Sequence, residues 1–214
     1  MITLDIFSDP VCPWCMIGKA NLERALGQIG EHTFKIEWHP FQLNPDMPKG
    51  GLDRRDFLEA KFGGQMEAVK AYAAVQKAAE AVGLEINYEK MDRQPNTLDA
   101  HRLIHWAGLE GVQTQVVDLL FKGFFRDGRD LGDRATLADI AAEAGMDREA
   151  TLRLLESKAD ADDIAARDRD ARQKGVKAVP TFLVARRYVV EGAQPPELWL
   201  QVAEELKEMV KSQN

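Results

Sequence analysis

Asp9-Pro10-Val11-Cys12-Pro13-Trp14-Cys15 holds the only two cysteines of the 214-residue chain, two residues apart. Ahead of it Ile2, Leu4 and Ile6 alternate with Thr3 and Asp5, the period of a strand over residues 2–8. Behind it Ile17, Ala20, Leu22, Ala25, Leu26 and Ile29 recur at helical spacing, which predicts a helix over 13–29. The stretch therefore reads as strand, tight corner and C-x-x-C at the start of a helix. Thiol chemistry benefits from that placement: the thiolate is the reactive form, and a helix N-terminus offers partial positive charge and unpaired N–H groups. Pro13 suits the first helical turn because it has no N–H to leave unpaired. The spacing lets Cys15 reach the Cys12 sulfur, so Cys12 is expected to attack and Cys15 to resolve. Two other readings compete. The cysteines could be buried packing residues, or half of a Cys2His2 zinc site completed by His101 and His105, one helical turn apart. Zinc pairs favour short knuckles over a strand-to-helix corner, so no metal is expected.

Composition narrows the classes. The formal net charge is -7 with no basic block, which argues against nucleic acid and anionic membranes as partners. No apolar run is long enough to span a bilayer. Met1-Ile2-Thr3-Leu4-Asp5 lacks the basic and apolar regions of a signal peptide, so a cytoplasmic location is expected. In that compartment a lone cysteine pair is more often catalytic than a structural staple.

Residues 33–39 alternate, with Phe34, Ile36 and Trp38 on one face and Thr33, Lys35 and Glu37 on the other, as in a half-exposed edge strand. Strand–helix–strand favours a parallel pair. A proline-rich loop, Phe41 to Pro48, follows, and from Asp53 to Gly175 the period is helical. Ala68, Ala71, Tyr72, Val75, Ala78, Ala79 and Val82 form the clearest stripe, with Gly83 a candidate C-cap. Asn96-Thr97 opens another helix, a third carries Val116 to Phe124, Asp133 or Arg134 starts a fourth running to Gly145, and Asp147 is a candidate cap for a fifth. Residues 160–174 read as a helix whose charges are solvated. Thr181-Phe182-Leu183-Val184 and Tyr188-Val189-Val190 suggest a hairpin, although Ala185-Arg186 is unusual turn chemistry. A last helix bears Leu198, Val202, Leu206, Met209 and Val210. Neither strand group is stable alone, so the two must join and the helical block is an insertion. The expected units are residues 1–48 plus 165–214, and an all-helical insertion over 49–164.

Val179-Pro180-Thr181 is the second landmark. Pro180 opens a buried-looking strand after the insertion, where a redox fold places a cis-proline. Such a bond turns the Val179 backbone outward to pair with an extended thiol substrate opposite Cys12.

Several blocks together carry a resemblance. They are Phe7-Ser8-Asp9-Pro10-Val11-Cys12-Pro13-Trp14-Cys15 with Gly18, Pro40-Phe41-Gln42-Leu43-Asn44-Pro45, Asn96-Thr97 with Ala100-His101-Arg102, Val179-Pro180-Thr181-Phe182, and Gly192-Ala193-Gln194. The chain resembles the FrnE-like branch of the DsbA family. That resemblance implies an α/β, thioredoxin-like fold with a large inserted all-helical domain, and thiol–disulfide oxidoreductase or disulfide isomerase activity. The related 2-hydroxychromene-2-carboxylate isomerases and kappa-class glutathione transferases resemble it around Asn96 and His101, but carry serine where Cys12 stands. A glutathione-dependent isomerase or transferase is therefore one alternative, and a zinc-stabilised binding module another. No tightly bound cofactor is expected, with glutathione the candidate small-molecule partner and a disulfide- or thiol-bearing protein or small molecule the substrate.

Supporting residues follow. Trp14 offers a half-exposed apolar rim beside Pro13 and the reactive sulfur. His101 is a candidate for the cleft between insertion and sheet. His32 and His39 belong to no motif. Asn44 and Asn96 are turn and cap residues first. The N–H groups of Gly192, Ala193 and Gln194, ahead of the last helix, could accept a carboxylate such as that of glutathione. Asp9 would oppose thiolate formation unless its carboxylate points away from Cys12.

Overall fold

The structure, a computed structural model, describes residues 2–30 and 33–212, with side chains through residue 208. His32 and the Met209 and Val210 side chains lie outside the described residues. Strand β1 (Ile2–Ser8) is paired on both sides, in a sheet ordered β2-β1-β5-β6. β2 (Phe34–Pro40) runs parallel to it, β5 (Thr181–Val184) antiparallel, and β6 (Tyr188–Glu191) antiparallel to β5. The central position explains why Leu4 and Ile6 are fully buried, each contributing about 1.5–3 kcal/mol. On edge strand β2, Phe34 and Trp38 are buried while Lys35 is exposed, as the alternation requires. The β5–β6 turn places Ala185 and Arg186 at φ 53° and 56°, a left-handed backbone that non-glycine residues seldom adopt. Ala185 N–H there donates to Thr3 O (2.8 Å), tying the turn to β1.

Helix α1 (Pro13–Ile29) begins at the C-x-x-C and packs against the last helix, α9 (Pro196–Ser212). Phe182 meets Trp199 edge-on beneath the sheet, ring centroids 4.7 Å apart. Between β2 and β5 come α2 (Arg54–Phe62), α3 (Gln65–Ala81), α4 (Leu98–Leu109), α5 (Gln113–Phe121), α6 (Arg134–Glu143), α7 (Arg148–Glu156) and α8 (Ala161–Gln173). Asp147 caps α7 by accepting from Ala150 N–H, as expected; Asp133 caps α6 by accepting from Thr136 N–H, so the helix itself starts at Arg134, and Asp53 caps α2 in the same way. This is the thioredoxin-like architecture with a helical insertion.

One difference lies inside the insertion. Leu52–Asp53 (β3) and Arg93–Gln94 (β4) pair antiparallel across the ends of the α2–α3 unit. Two residues are too few to show alternation, so the helical period masked them. Helices α4, α5 and α8 pack on β2, while α3 reaches α1. The α2–α3 unit therefore lies over the C-x-x-C end of the sheet.

Candidate active site

Cys12 occupies the N-cap of α1, with Pro13 in the first turn. Both cysteines are free. Cys12 is 3% exposed and lines a cavity of about 310 Å³; Cys15, 1% exposed, does not line it. The Cys12 thiol donates to Val179 O at 3.6 Å. The Val179–Pro180 peptide is cis. Burial first, then a thiol–thiol hydrogen bond to Cys12 and the charge Cys12 can carry, pushes the Cys15 thiol well above its ordinary range. The Ser8 hydroxyl and Asp9 backbone oppose this only in part. Cys15 is thus held protonated behind a sulfur that faces the cavity.

The loop after β2 forms one wall, through Leu43 and Asn44. Two buried aspartates hold its backbone. Leu43 N–H donates to Asp9 Oδ2 (2.7 Å), and Gln42 N–H to Asp168 Oδ1 (2.8 Å). Arg172 pairs with Asp168 (3.2 Å), donates to Gln42 O, and lies 4.0 Å over the Phe41 ring. The Asp9 carboxylate therefore faces the Leu43 backbone and His101. Its Oδ1 stands 3.6 Å from His101 Nε2, within ion-pair reach but too long for a hydrogen bond, and both atoms lack a hydrogen-bond partner. The insertion supplies the opposite wall: Phe57, Leu58, Lys61 and Phe62 of α2, and Ala71, Tyr72 and Val75 of α3, with Lys177 beside Val179.

The structure brings Cys12, Pro13, Trp14, Asn44 and Val179 to one cavity. Trp14 is 40% exposed at its rim. Asn96 and His101 do not line it. Asn96 Nδ2 donates to Met47 O (2.6 Å) and its Oδ1 accepts from Leu98 N–H (3.0 Å), fastening the loop to α4. His101 is 3% exposed, stands against Asp9, and lines a different cleft of about 470 Å³ between β2 and helices α4, α5 and α8, so it sits between insertion and sheet as expected but away from Cys12. Gly192, Ala193 and Gln194 lie outside the cavity as well. Gly192 N–H donates to Pro180 O (2.8 Å) and Gln194 N–H to Gly192 O (2.9 Å), so those two of the three N–H groups are already engaged within the chain. Cys12, Cys15, His101 and His105 do not assemble as metal ligands. The one candidate ion cluster among the described residues is Asp5, Glu37 and His39, remote from the cysteines in motif and already joined by an Asp5–His39 contact of 2.9 Å.

Sequence reading missed Asp168 and Arg172, placed in a charge-rich helix that looked solvated, and Tyr72, legible only as part of an apolar stripe.

Residues 3–203 match the model of the DSBA-like thioredoxin domain. The chain belongs to that family. It is the family that the C-P-W-C and V-P-T-F blocks resemble. A probable DsbA oxidoreductase from Streptomyces coelicolor is 33% identical, with a TM-score of 0.86 over 96% of this chain and 89% of that one. The uncharacterized protein YwbO of Bacillus subtilis is 29% identical over 193 residues, 90% of each chain. The cytosolic disulfide reductase DsbM of Pseudomonas aeruginosa, 18% identical with a TM-score of 0.69 over 97% of this chain and 99% of its own, shares the fold. So does a 2-hydroxychromene-2-carboxylate isomerase, 15% identical with a TM-score of 0.74 over 99% of both chains.

Proposed function

We propose that this DSBA-like protein is a dithiol–disulfide oxidoreductase. The Cys12 thiolate attacks one sulfur of a substrate disulfide and expels the other as a thiolate. Cys15 then gives up its proton and attacks Cys12, releasing the second substrate thiol and leaving a Cys12–Cys15 disulfide. The two electrons taken by the substrate are restored by two equivalents of an external thiol, which leave as their own disulfide, and the reverse sequence oxidises dithiols. The carrying observation is the division of the pair: Cys12 in a cavity wall against Val179 O, Cys15 sealed behind it and held protonated. Pro180, with its carbonyl held by Gly192 N–H, keeps that segment opposite Cys12.

For the substrate we propose a peptide-like or low-molecular-weight thiol, glutathione among them. The cavity joins an apolar wall to polar groups from Asn44, Lys61 and Lys177, which suits a short peptide with carboxylates. DsbM, which shares the fold, has a structure with GSH. DsbM is a cytosolic disulfide reductase, which also supports a reducing compartment for this chain. Turnover of a glutathione mixed disulfide tests the reading. Wild type is expected to turn over, and Cys12→Ser to be inactive. Full activity of Cys12→Ser would favour the glutathione-dependent isomerase or transferase, whose relatives carry serine there.

A further inference from the structure

Three cations are buried among the described residues: Lys19, Arg54 and Arg102. Lys19 is paired with Glu23 and Asp118, and Arg102 with Asp99 at 2.6 Å. Arg54, 5% exposed, has no carboxylate within ion-pair distance among the described residues. Its guanidinium donates to neutral oxygens, Gln94 Oε1 (2.6 Å) and Tyr72 Oη (3.1 Å), and faces the Tyr72 and Phe124 rings at 5.6 and 5.4 Å. A full positive charge removed from water without a counter-ion is costly. A tether between α2 and β4 needs no charge, since a neutral amide would serve.

Arg54 borders a second cavity of about 620 Å³ between α2 and α3, with Leu58, Ala68, Val69, Ala73 and Met91 as its apolar lining; Gln65 and the Arg55–Glu59 ion pair (3.0 Å) line it too, the Glu59 carboxylate being held by Arg55. That size and lining suit a small organic ligand with one polar anchor. Tyr88 and Gln76 also line it, and Tyr88 Oη and Gln76 Oε1 are buried with no hydrogen-bond partner. Burial, with Tyr72 and others adding, pushes the Tyr88 phenol up to about 12, so it stays a donor at neutral pH. A guanidinium and a phenol donor fit a carboxylate. Leu58 and Tyr72 line both this cavity and that of Cys12, so a single side-chain wall separates them.

We infer that the α2–α3 cavity is a second binding site, for an apolar carboxylate, with Arg54 holding the anion and Tyr88 donating to it. The site stands independently of the redox activity. Calorimetric titration with 4-phenylbutyrate and its neutral amide, 4-phenylbutyramide, tests it. Wild type is expected to bind the acid about ten-fold or more tighter than the amide. Arg54→Gln should reduce that preference to within roughly two-fold, and Arg54→Lys should retain part of it. Tyr88→Phe should weaken acid binding roughly three- to ten-fold. Cys12→Ser should bind the acid as wild type does, which separates this site from the redox cavity. Equal binding of acid and amide, no binding of either at millimolar concentration, or an acid preference surviving Arg54→Gln overturns the inference. So does loss of acid binding in Cys12→Ser. If Arg54→Gln does not fold, the wild-type comparison together with Tyr88→Phe decides.

Discussion

Replacing Asp9 by alanine sets two large effects against each other. Asp9 is fully buried, three residues before Cys12, and its Oδ2 accepts the Leu43 N–H at 2.7 Å. Removing a buried carboxylate returns its desolvation cost, which favours the variant. Removing the acceptor strands a backbone N–H, and a hydrogen bond to a charged group is worth about 1.5–3 kcal/mol. His101, 3.6 Å from Oδ1, already offsets part of the charge cost. The bond is therefore expected to win, and Asp9→Ala to lose about 2–3 kcal/mol. For a chain of this size that is roughly 4–12 °C in melting temperature. Asp9→Asn keeps an oxygen for Leu43 and should stay within about 1 kcal/mol of wild type. Because Leu43 and Asn44 form a wall of the Cys12 cavity, turnover should fall in Asp9→Ala more than Cys12 alkylation does. Urea denaturation with calorimetry measures the difference. An alanine variant as stable as wild type, or more stable, would refute this, because burial of the charge would then outweigh the tether.

Three further outcomes are expected. Since the folded Cys15 pKa is raised, the native reduced protein binds more protons than the unfolded chain above the ordinary thiol range. Its stability should be full below about pH 8.5 and fall as pH rises further, and Cys15→Ser should flatten that slope in urea melts at pH 7–10. Arg102, 1% exposed, donates to the carbonyls of Leu154, Leu155, Ser157 and Ala159 and pairs with Asp99; Arg102→Ala should cost about 3–5 kcal/mol by denaturation, with no rescue by lysine. A Cβ on Gly18 would meet Pro180 Cγ at 3.0 Å, Ala193 Cα at 3.3 Å and Phe182 Cζ at 3.4 Å; Gly18→Ala should trade about 1 kcal/mol of helix propensity for about 1–3 kcal/mol of overpacking, and lower turnover by moving the Val179–Pro180 segment, seen in melting and activity together.

Where local chemistry decides structure, the sequence was legible. The alternation of Ile2, Leu4 and Ile6, the helical stripe after Cys15, and the caps Asp133 and Asp147 each rest on neighbours in the chain. Features made by distant partners were not. Asp168 and Arg172 sit in a run of charges, and only the arrival of Gln42 from 126 residues away makes them a clamp. Tyr72 belongs to a visible apolar stripe, but its place between two cavities depends on how α3 meets α1. His101 does line a cleft between insertion and sheet, but because α4 packs against β2 that cleft is not the one that Cys12 faces. The glycine–alanine–glutamine turn read as an anion site, but two of its three N–H groups, those of Gly192 and Gln194, are bound to Pro180 O and Gly192 O, partners that only the folded chain brings together.

The most direct measurement is mass spectrometry of Cys15→Ser protein after reaction with oxidised glutathione at neutral pH. With Cys12 in the cavity and no thiol behind it to resolve the bond, a single glutathione adduct on Cys12 should form and persist, while wild type should pass to the Cys12–Cys15 disulfide and carry none. Absence of an adduct on Cys12, or a stable adduct on Cys15 in the Cys12→Ser protein, would contradict the assignment of Cys12 as the attacking thiol.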